Sequence, residues 1–367
     1  AIKTVAGKDT GGGLPVIKTD WTKEKSEKSG KVAISVKPGV SFVTIRDIKF
    51  LAVKTGVKLD GGNGSVTLQN LDIEECRDAI VIDGAATPGN DQSGSHDLLV
   101  KDCKFTHYTK RGMRIMNGVR NMQVTNCHAD AGGKEWFAEP FAVGFHVLGG
   151  EGVVDRDITF TDCTASNNYW DAGDKYWNAD GWASERNSRN LTFIRCGAYD
   201  NTDGGWDLKS TANKFVDCVS VGNKRNYRIW PKPGEEKTTF ENCLSAFSHD
   251  RGPNNHDVGF WFLVGGDIEM KNCTAWGDRK AIRVEANPKY PPKSNLTLEN
   301  CLIVTKEGGN PQDLAPDTNV VNTGSVIADK PTDAPQLKRP AENWRGGNDA
   351  FDAATTSNVG YKHRAAH

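Results

Sequence analysis

The sequence reads LLVKDC at residues 98–103, MQVTNC at 122–127, ITFTDC at 158–163 and LTFIRC at 191–196. The same alternation of apolar residues before a cysteine recurs at Cys218, Cys243, Cys273 and Cys301. Consecutive cysteines of the repeat are 22 to 36 residues apart. A repeat of this length, with longer steps where loops emerge, is typical of a solenoid whose coils stack on one another. We therefore predict an all-β fold, a single-stranded right-handed parallel β-helix.

A second strand follows each cysteine, as in GMRIM at 112–116 and GWDLK at 205–209. Strict alternation along these strands predicts the inward positions Ile80, Met113, Phe145, Trp182, Trp206, Tyr227, Phe260 and Ile282. The cysteines are expected to form another column inside the helix, packing as small hydrophobic residues. No two cysteines have the close spacing that zinc sites use. Cys76 lies off the repeat and is expected to be a free thiol in a turn.

The organisation along the chain follows from where the repeat is visible. We expect residues 1–40 to form an N-terminal cap or first coil, and residues 41–305 to form the β-helix. Residues 306–367 lose the repeat and gain Pro and Ala, so we expect a loop-rich C-terminal tail packed on the helix. The sequence shows no second domain.

Composition excludes several classes of protein. A formal charge of −1, without a basic arm, gives no reason to expect nucleic acid as a partner. No run approaches the roughly 18 apolar residues of a membrane span. Residues 1–13 have no apolar signal core, so a signal peptide either was removed before this numbering starts or never existed. We expect a monomer.

Because coils stack about 4.8 Å apart, the repeat also predicts which outward side chains are neighbours. The middle outward position reads Lys58, Val81, Arg114, His146, Ala183, Asp207, Arg228, Trp261 and Arg283. Two residues earlier the column reads Thr55, Asp78, Arg111, Val143, Asp180, Gly204, Arg225, Val258 and Lys280. One patch is predicted to gather Asp180, Asp203, Asp207, Lys209, Arg225 and Arg228.

Carboxylates on successive coils repel one another unless a cation neutralises them. Ca²⁺ takes six to eight oxygen ligands, and Asp180, Asp203 and Asp207 could face one ion from two coils. The alternative is an outward ladder of solvated charges that neighbouring arginines balance.

Three stretches of this patch carry a resemblance to a known family: NADGW (178–182), CGAYDNTDGGWDL (196–208) and CVSVGNKRNYRI (218–229). They resemble polysaccharide lyase family 9, the pectate-lyase-type β-helix enzymes. The resemblance implies that Asp180, Asp203 and Asp207 hold a catalytic calcium. Two positions depart from the family: Gly204 replaces a second aspartate, and Arg228 stands where the family has its lysine base.

The function implied by this resemblance is a secreted lyase that cleaves an acidic polysaccharide, such as pectate, by calcium-assisted β-elimination. Arg228 is the expected base, with Lys209 as the substitute. The expected substrate contacts are Arg225, Arg283 and Lys280 for carboxylates, Trp230, Trp261 and Tyr176 for sugar faces, and His146 as a further acid or base.

Other functions remain open from the sequence. A glycoside hydrolase of the same fold could use clustered aspartates as acid and base without a metal. An epimerase removes the same proton, but the Tyr-Gly-Phe-Asp-Pro-His run of mannuronan epimerases has no counterpart here. A non-catalytic β-helix that binds glycans is the third alternative.

Overall fold

The computed structural model describes residues 3–6, 13–24, 29–90, 92–173, 177–250, 257–263, 265–285 and 294–330. These residues form twenty-six β-strands and one four-residue helix. The strands pair in parallel, coil on coil, as the predicted right-handed parallel β-helix requires, so the predicted fold class is confirmed. The chain divides into two compact units, unit 1 with residues 1–171 and 178–191, and unit 2 with residues 172–177 and 192–367.

Unit 1 is built around three long strands that stack in continuous register, β4, β5 and β6. Its elements are β1 (Lys3–Ala6), β2 (Val16–Lys18), β3 (Val32–Val36), β4 (Val43–Leu59), β5 (Gly64–Asp83), β6 (His96–Met116), β7 (Arg120–Asp130), α1 (Gly133–Trp136), β8 (Val143–Val147), β9 (Asp155–Thr161), β10 (Thr164–Ser166) and β11 (Asp180–Ser184). The next strand, β12 (Ser188–Ile194), spans the boundary between the two units in the sequence.

Unit 2 contains three series of short parallel strands. Its strands are β13 (Gly197–Tyr199), β14 (Gly204–Leu208), β15 (Lys214–Val216), β16 (Val219–Val221), β17 (Arg225–Ile229), β18 (Thr238–Glu241), β19 (Leu244–Ala246), β20 (Val258–Leu263), β21 (Gly266–Lys271), β22 (Thr274–Glu285), β23 (Ser294–Glu299), β24 (Leu302–Leu314), β25 (Asn319–Thr323) and β26 (Val326–Ala328). The series that begins with β14 continues through β17, β20, β22 and β24.

The stacked coils extend beyond both ends of the predicted helix. Strands β1, β2 and β3 pair in parallel with β4, so the region predicted as a cap or first coil contributes coil strands. The predicted start of the tail, residue 306, falls inside β24, and β25 and β26 continue the pairing to Ala328. The last repeat has no cysteine, so the sequence pattern did not predict this continuation. Residues 331–367 of the predicted tail lie outside the described residues.

Aromatic columns fill the interior of unit 2. The rings of Trp206, Tyr227 and Phe260 are stacked with centroid distances of 4.8 and 4.7 Å. A second column of Phe193, Phe215 and Phe240 has centroid distances of 4.9 and 4.5 Å. These distances equal the spacing of hydrogen-bonded strands, because the backbone ladder places like residues directly above one another. The eight inward positions predicted from the alternation are all buried.

The cysteine column is also confirmed. All nine cysteines are buried and none forms a disulfide. The thiols of the repeat donate weak hydrogen bonds to carbonyls of the preceding coil, as from Cys218 Sγ to Phe193 O at 3.4 Å. Cys76 was wrongly placed in a turn: it lies within β5, between Val53 and Tyr108 of the adjacent strands. Its burial raises the pKa of the thiol well above the ordinary value.

The residue before each repeat cysteine makes a sharp corner, and it is Asn or Asp in every repeat except that of Cys196, where it is Arg195. Asp102 and Asn126 have φ angles of 57° and 51°, in the left-handed region that Asn and Asp tolerate better than other side chains. Asn126 Nδ2 also donates to Asp102 Oδ1 of the preceding coil at 2.9 Å. The polar residue in the repeat therefore sets the corner that aligns one coil with the next.

We expect Asn126→Ala to lower the free energy of unfolding by about 1–2 kcal/mol, because alanine must take the left-handed conformation. Asn126→Gly loses the same side-chain hydrogen bonds without this strain and should cost about half as much. Urea unfolding followed by circular dichroism measures both. Gln123→Ala, an exposed position on the same strand with ordinary φ, is the control. Equal losses in the alanine and glycine variants of Asn126 would contradict this account of the corner.

Candidate functional site

The outward columns predicted from the sequence are present in each unit. In unit 2, Asp207 of β14 pairs in register with Arg228 of β17. Arg228 pairs with Trp261 of β20, which pairs with Arg283 of β22. In unit 1, His146 of β8 pairs with Ala183 of β11, and Val143 pairs with Asp180. The alternation along each strand was therefore sufficient to predict these neighbours.

Asp207 is the centre of the polar contacts on the unit 2 face. Its Oδ2 accepts a hydrogen bond from Arg228 Nη1 at 3.0 Å, and its Oδ1 accepts one from Trp230 Nε1 at 3.0 Å. The Arg228 guanidinium lies 5.1 Å from the centre of the Trp230 ring. Asp207 is buried, and each of its carboxylate oxygens accepts a hydrogen bond from a charged or polar donor.

Asp203 lies directly before β14 and is fully buried. Arg225 Nη1 donates to Asp203 Oδ1 in a close ion pair, and Arg225 N donates to Asp203 O at 3.1 Å. A buried pair of this kind depends strongly on both partners, because removal of one leaves the other charge uncompensated. The turn itself is fixed by Asn223, whose Oδ1 accepts from Asn201 N at 2.9 Å.

Glycine is required beside Asp207. A Cβ atom at Gly205 would lie 2.2 Å from Ser220 Oγ and 2.6 Å from Asn226 O. No side chain fits at these distances, so Gly205 allows β14 to approach the interior residues of β16 and β17. This contact explains the second glycine of the GGWD run.

Trp261 is surrounded by cations. The guanidinium carbons of Arg225, Arg228 and Arg283 lie 4.9, 5.1 and 4.7 Å from its ring centre. Trp261 is only 5% exposed, and it packs with Val258 and Leu263, with Trp230 against that cluster. The indole contributes to holding the arginines through cation–π attraction.

The other predicted substrate contacts of unit 2 also have partners. Lys280 Nζ lies 2.6 Å from Asp313 Oδ2, and Arg283 Nη2 lies 3.0 Å from Glu285 Oε2. Lys209 follows β14 and is half-buried. Tyr176 lies outside the described residues. The roles predicted for these residues in substrate binding or catalysis stay predictions.

In unit 1, Asp180 is the first residue of β11 and is buried. His146 is buried as well, and Arg111 Nε donates to its Nδ1 at 2.9 Å. Because Nδ1 accepts this hydrogen bond, the ring proton of a neutral His146 resides on Nε2. Burial lowers the pKa of the Arg111 guanidinium to about 10, which leaves it charged at neutral pH. Arg111 belongs to the second outward column, and the sequence pattern contains no signal for its hydrogen bond to His146.

Two buried groups beneath and beside β17 were missed from the sequence. Lys224 is fully buried directly before Arg225, and its burial lowers the pKa of its ammonium group. Asp278 accepts hydrogen bonds from Ser248 N at 2.8 Å and from Ser245 Oγ at 3.0 Å, and Asn226 Nδ2 lies 3.4 Å away. Both occupy inward or corner positions that alternation assigns to packing, so the pattern gave no signal for them.

The donor chemistry of this face suits a hard cation. Asp203 and Asp207 present carboxylate oxygens, the ligands that Ca²⁺ prefers. Each carboxylate already has an arginine partner, and two carboxylates supply at most four of the six to eight oxygens that the ion takes. A calcium site here therefore requires further ligands and must compete with Arg225 and Arg228.

Comparisons with known proteins agree on the fold. A family model described as a right-handed β-helix region matches residues 22–154, about a third of the chain. A rhamnogalacturonan lyase structure is similar with 15% identity and a TM-score of 0.50, covering 89% of this chain and 82% of that one. The A-module of the Azotobacter vinelandii mannuronan C-5 epimerase AlgE6 is similar with 11% identity and a TM-score of 0.52, covering 86% and 81%.

A viral protein shares the fold at a similar level. The pre-mature bacteriophage phi29 gene product 12 is 10% identical with a TM-score of 0.54, and the match covers 86% of this chain. The chain spans about half the length of that protein and of the Geobacillus virus E2 protein ORF18. No curated protein sequence matches the chain significantly. At these identities the likeness establishes the fold alone. Among the described residues, no helix is long and apolar enough to cross a membrane.

The buried Asp278 should make stability depend on pH. Burial raises the pKa of its carboxyl to about 6, so the folded protein binds this proton more tightly than the unfolded chain. Its stabilising contribution is complete below the unfolded pKa near 4 and is lost as the pH rises through about 6. Between pH 4 and pH 7 the free energy of unfolding of the wild-type protein should therefore fall by about 3 kcal/mol relative to that of Asp278→Asn.

Urea unfolding of both proteins at several pH values measures the difference between their free energies of unfolding. The other carboxyl groups are common to both proteins, so their titration does not affect this difference. A difference that stays constant from pH 4 to pH 7, or that grows in favour of the wild type, would contradict the assignment.

Proposed function

We propose that the protein is a polysaccharide-modifying enzyme that cleaves a uronate-containing polymer by calcium-assisted β-elimination. The observation that carries the proposal is the arrangement in unit 2 of Asp203 and Asp207 on one coil, facing Arg225 and Arg228 on the next. Burial of these charged groups costs desolvation free energy that their pairing offsets only in part, which favours a functional role for the cluster. Among the structures of like fold are proteins named as a rhamnogalacturonan lyase and a mannuronan epimerase.

Elimination beside a uronate requires removal of the ring proton next to the carboxylate. When bound, calcium would neutralise that carboxylate and stabilise the enolate-like anion. We propose Asp203 and Asp207 of unit 2 as its protein ligands, because each offers a carboxylate oxygen, while the same role for Asp180 stays a prediction from the sequence. A substrate carboxylate and water are proposed to complete the coordination shell of the calcium, because Gly204 stands where the resembling family has another aspartate.

Arg228 is the proposed base. Its guanidinium stands in register with Asp207 and between the rings of Trp230 and Trp261, so its direction is fixed. Arginine is normally protonated, and the contact with Asp207 favours the cation. To accept the ring proton Arg228 must be in its neutral form, which would require that Asp207 bind calcium instead and no longer stabilise the guanidinium cation. Lys209 is the second candidate, since it follows the same strand as Asp207.

Arg225, Arg283 and Lys280 are proposed to bind carboxylates of neighbouring sugars, exchanging at least part of their present ion pairs for the ligand. Trp230 of unit 2 and His146 of unit 1 are also proposed to contact the substrate. We further propose that the protein acts outside the cell, because a polymeric uronate is too large to be taken up intact. We also propose that it acts as a monomer.

The proposal is tested by incubating the protein with pectate, alginate and other uronate polymers, with calcium or with a chelator. We expect ultraviolet absorbance of an unsaturated product on one polymer, lost with chelator and reduced about 10²-fold or more in Asp207→Asn. Asp267→Asn, an exposed carboxylate of β21, should retain full activity.

The other outcomes of this assay decide between the alternatives. New reducing ends without ultraviolet absorbance would indicate a hydrolase, and a changed uronate composition without chain cleavage would indicate an epimerase. Binding of a polymer without any of these changes would indicate a non-catalytic glycan-binding protein.

The base can be identified by comparing three variants. Arg228→Ala should lose about 10²–10⁴-fold in kcat, the usual contribution of a positioned base. Arg228→Lys should recover part of this activity with an optimum at lower pH, because an ammonium deprotonates more readily than a guanidinium. Lys209→Ala should retain most activity. The reverse pattern, with Lys209→Ala inactive and Arg228→Ala active, would assign the base to Lys209. Near-ultraviolet circular dichroism of each variant controls for the fold.

A further inference from the structure

The segment between α1 and β8 in unit 1 presents an aromatic residue in an unusual state. Phe141 has a φ of 61°, in the left-handed region that bulky side chains avoid, and 43% of its surface is exposed. Neither feature helps folding. Phe42 of unit 1 shares both features, so the surroundings of Phe141 decide whether its position is used for binding.

This segment is fastened by the strand beneath it. Arg111 Nη1 donates a close hydrogen bond to Phe141 O, and Lys110 Nζ donates to Pro140 O at 2.8 Å. Thr109 Oγ1 donates to Glu139 Oε1 at 2.9 Å. Lys110 and Arg111 of β6 therefore hold the backbone that carries Phe141, and Thr109 holds the neighbouring Glu139 side chain, so the segment is kept in place although Phe141 is not buried.

A second loop of unit 1 supports the ring from the side. The Trp170 ring lies 4.3 Å from the Phe141 ring, tilted by 53°. On the same two loops, Phe137 and Tyr169 form a second, edge-to-face pair with ring centroids 5.7 Å apart. The two loops thus meet through two aromatic pairs, which together form a fixed apolar surface at the level of Phe141.

A cation lies over one of these rings. Lys110 Nζ lies 5.7 Å from the centre of the Phe141 ring. An ammonium carries three donors, so Lys110 can hold an anionic group while it donates to Pro140 O. The surface is also close to Asp180, a predicted site residue of the same unit. Asp180 N donates a hydrogen bond at 3.1 Å to the backbone oxygen of Ala142, which follows Phe141.

We propose that Phe141, Trp170 and Lys110 form a sugar subsite that binds a uronate residue of the polymer. The apolar C–H face of the pyranose stacks on Phe141 and Trp170, and its carboxylate binds Lys110. The inference rests on the proposed function for its substrate class, and it adds a binding site in unit 1 beyond the charged face of unit 2.

The test measures binding of uronate oligosaccharides of defined length, four to six residues of galacturonate or of mannuronate and guluronate. Neutral galacto-oligosaccharides of equal length are the comparison. Isothermal titration calorimetry with calcium present gives Kd, and quenching of tryptophan fluorescence reports on Trp170. Phe141→Ala should weaken uronate binding about 10-fold, the loss expected for one aromatic stacking contact.

The chain offers a matched control. Phe42, also in unit 1, has a φ of 57° and is 58% exposed, and the described residues place no aromatic ring against it. Phe42→Ala should leave Kd unchanged. Lys110→Gln should weaken binding of the uronate oligosaccharides and leave the weaker binding of the neutral ones unaffected. Thermal unfolding shows that each variant is folded.

Unchanged binding in Phe141→Ala, an equal loss in Phe42→Ala, or no binding of any uronate probe by the wild type would overturn the subsite. These results are separable from the catalytic proposal. Cleavage of a polymer with Kd and KM independent of Phe141 refutes the subsite alone. Phe141-dependent binding without cleavage of any polymer refutes the catalytic proposal alone.

Discussion

The parallel backbone ladder is the constraint on which the rest of the structure depends. It fixes each coil one strand spacing from the next, so a residue at one position of the repeat lies directly against the same position in adjacent coils. The ring distances of 4.5 to 4.9 Å between Trp206, Tyr227, Phe215 and their stacked neighbours are a direct consequence. The same ladder acts on the outside, where it forces charged side chains into columns. The backbone ladder therefore causes both the favourable stacking of rings inside and the costly alignment of charges outside. The outward charges must be arranged in pairs of opposite sign.

The features that follow from this ladder could be predicted from sequence. Once alternation assigned Trp206 inward, Asp207 had to point outward and stand against Arg228, and it does. Features that depend on chain paths between strands could not be predicted in this way. The pattern gave no signal for Asp278, which is buried because Ser245 and Ser248 present donors to it. Phe141 lies in a loop whose course is set by hydrogen bonds from β6 to main-chain oxygens, which no side-chain pattern records. The last coils were missed because their cysteine is absent, although their strands pair as before.

The columns also explain why the charge balance of the candidate site differs from a simple cluster of acids. Asp203 and Asp207 on one coil each find an arginine on the next, so this face of unit 2 is nearly neutral. A cation binds such a face less strongly than a face with unpaired carboxylates, and the glycine at position 204 lowers the affinity further. Substrate would change this balance, because a uronate carboxylate attracts both the cation and the arginines. Calcium and substrate are therefore expected to bind with positive coupling, each providing charge that the other requires.

The crowding of guanidiniums around Trp261 determines where sugar stacking can occur in unit 2. An indole that has three guanidiniums within 4.7 to 5.1 Å of its ring centre and is 5% exposed does not offer a face to a pyranose without a rearrangement. Its attraction for cations fits better with orienting Arg225, Arg228 and Arg283 toward carboxylates. Under the proposed function, apolar recognition of the sugar ring then depends on other aromatic side chains, such as Trp230 or a more exposed aromatic surface. Phe141 with Trp170 in unit 1 has the exposure that Trp261 lacks. Charge recognition and ring recognition are thus assigned to different residues, because the ladder that aligns the arginines also buries the indole among them.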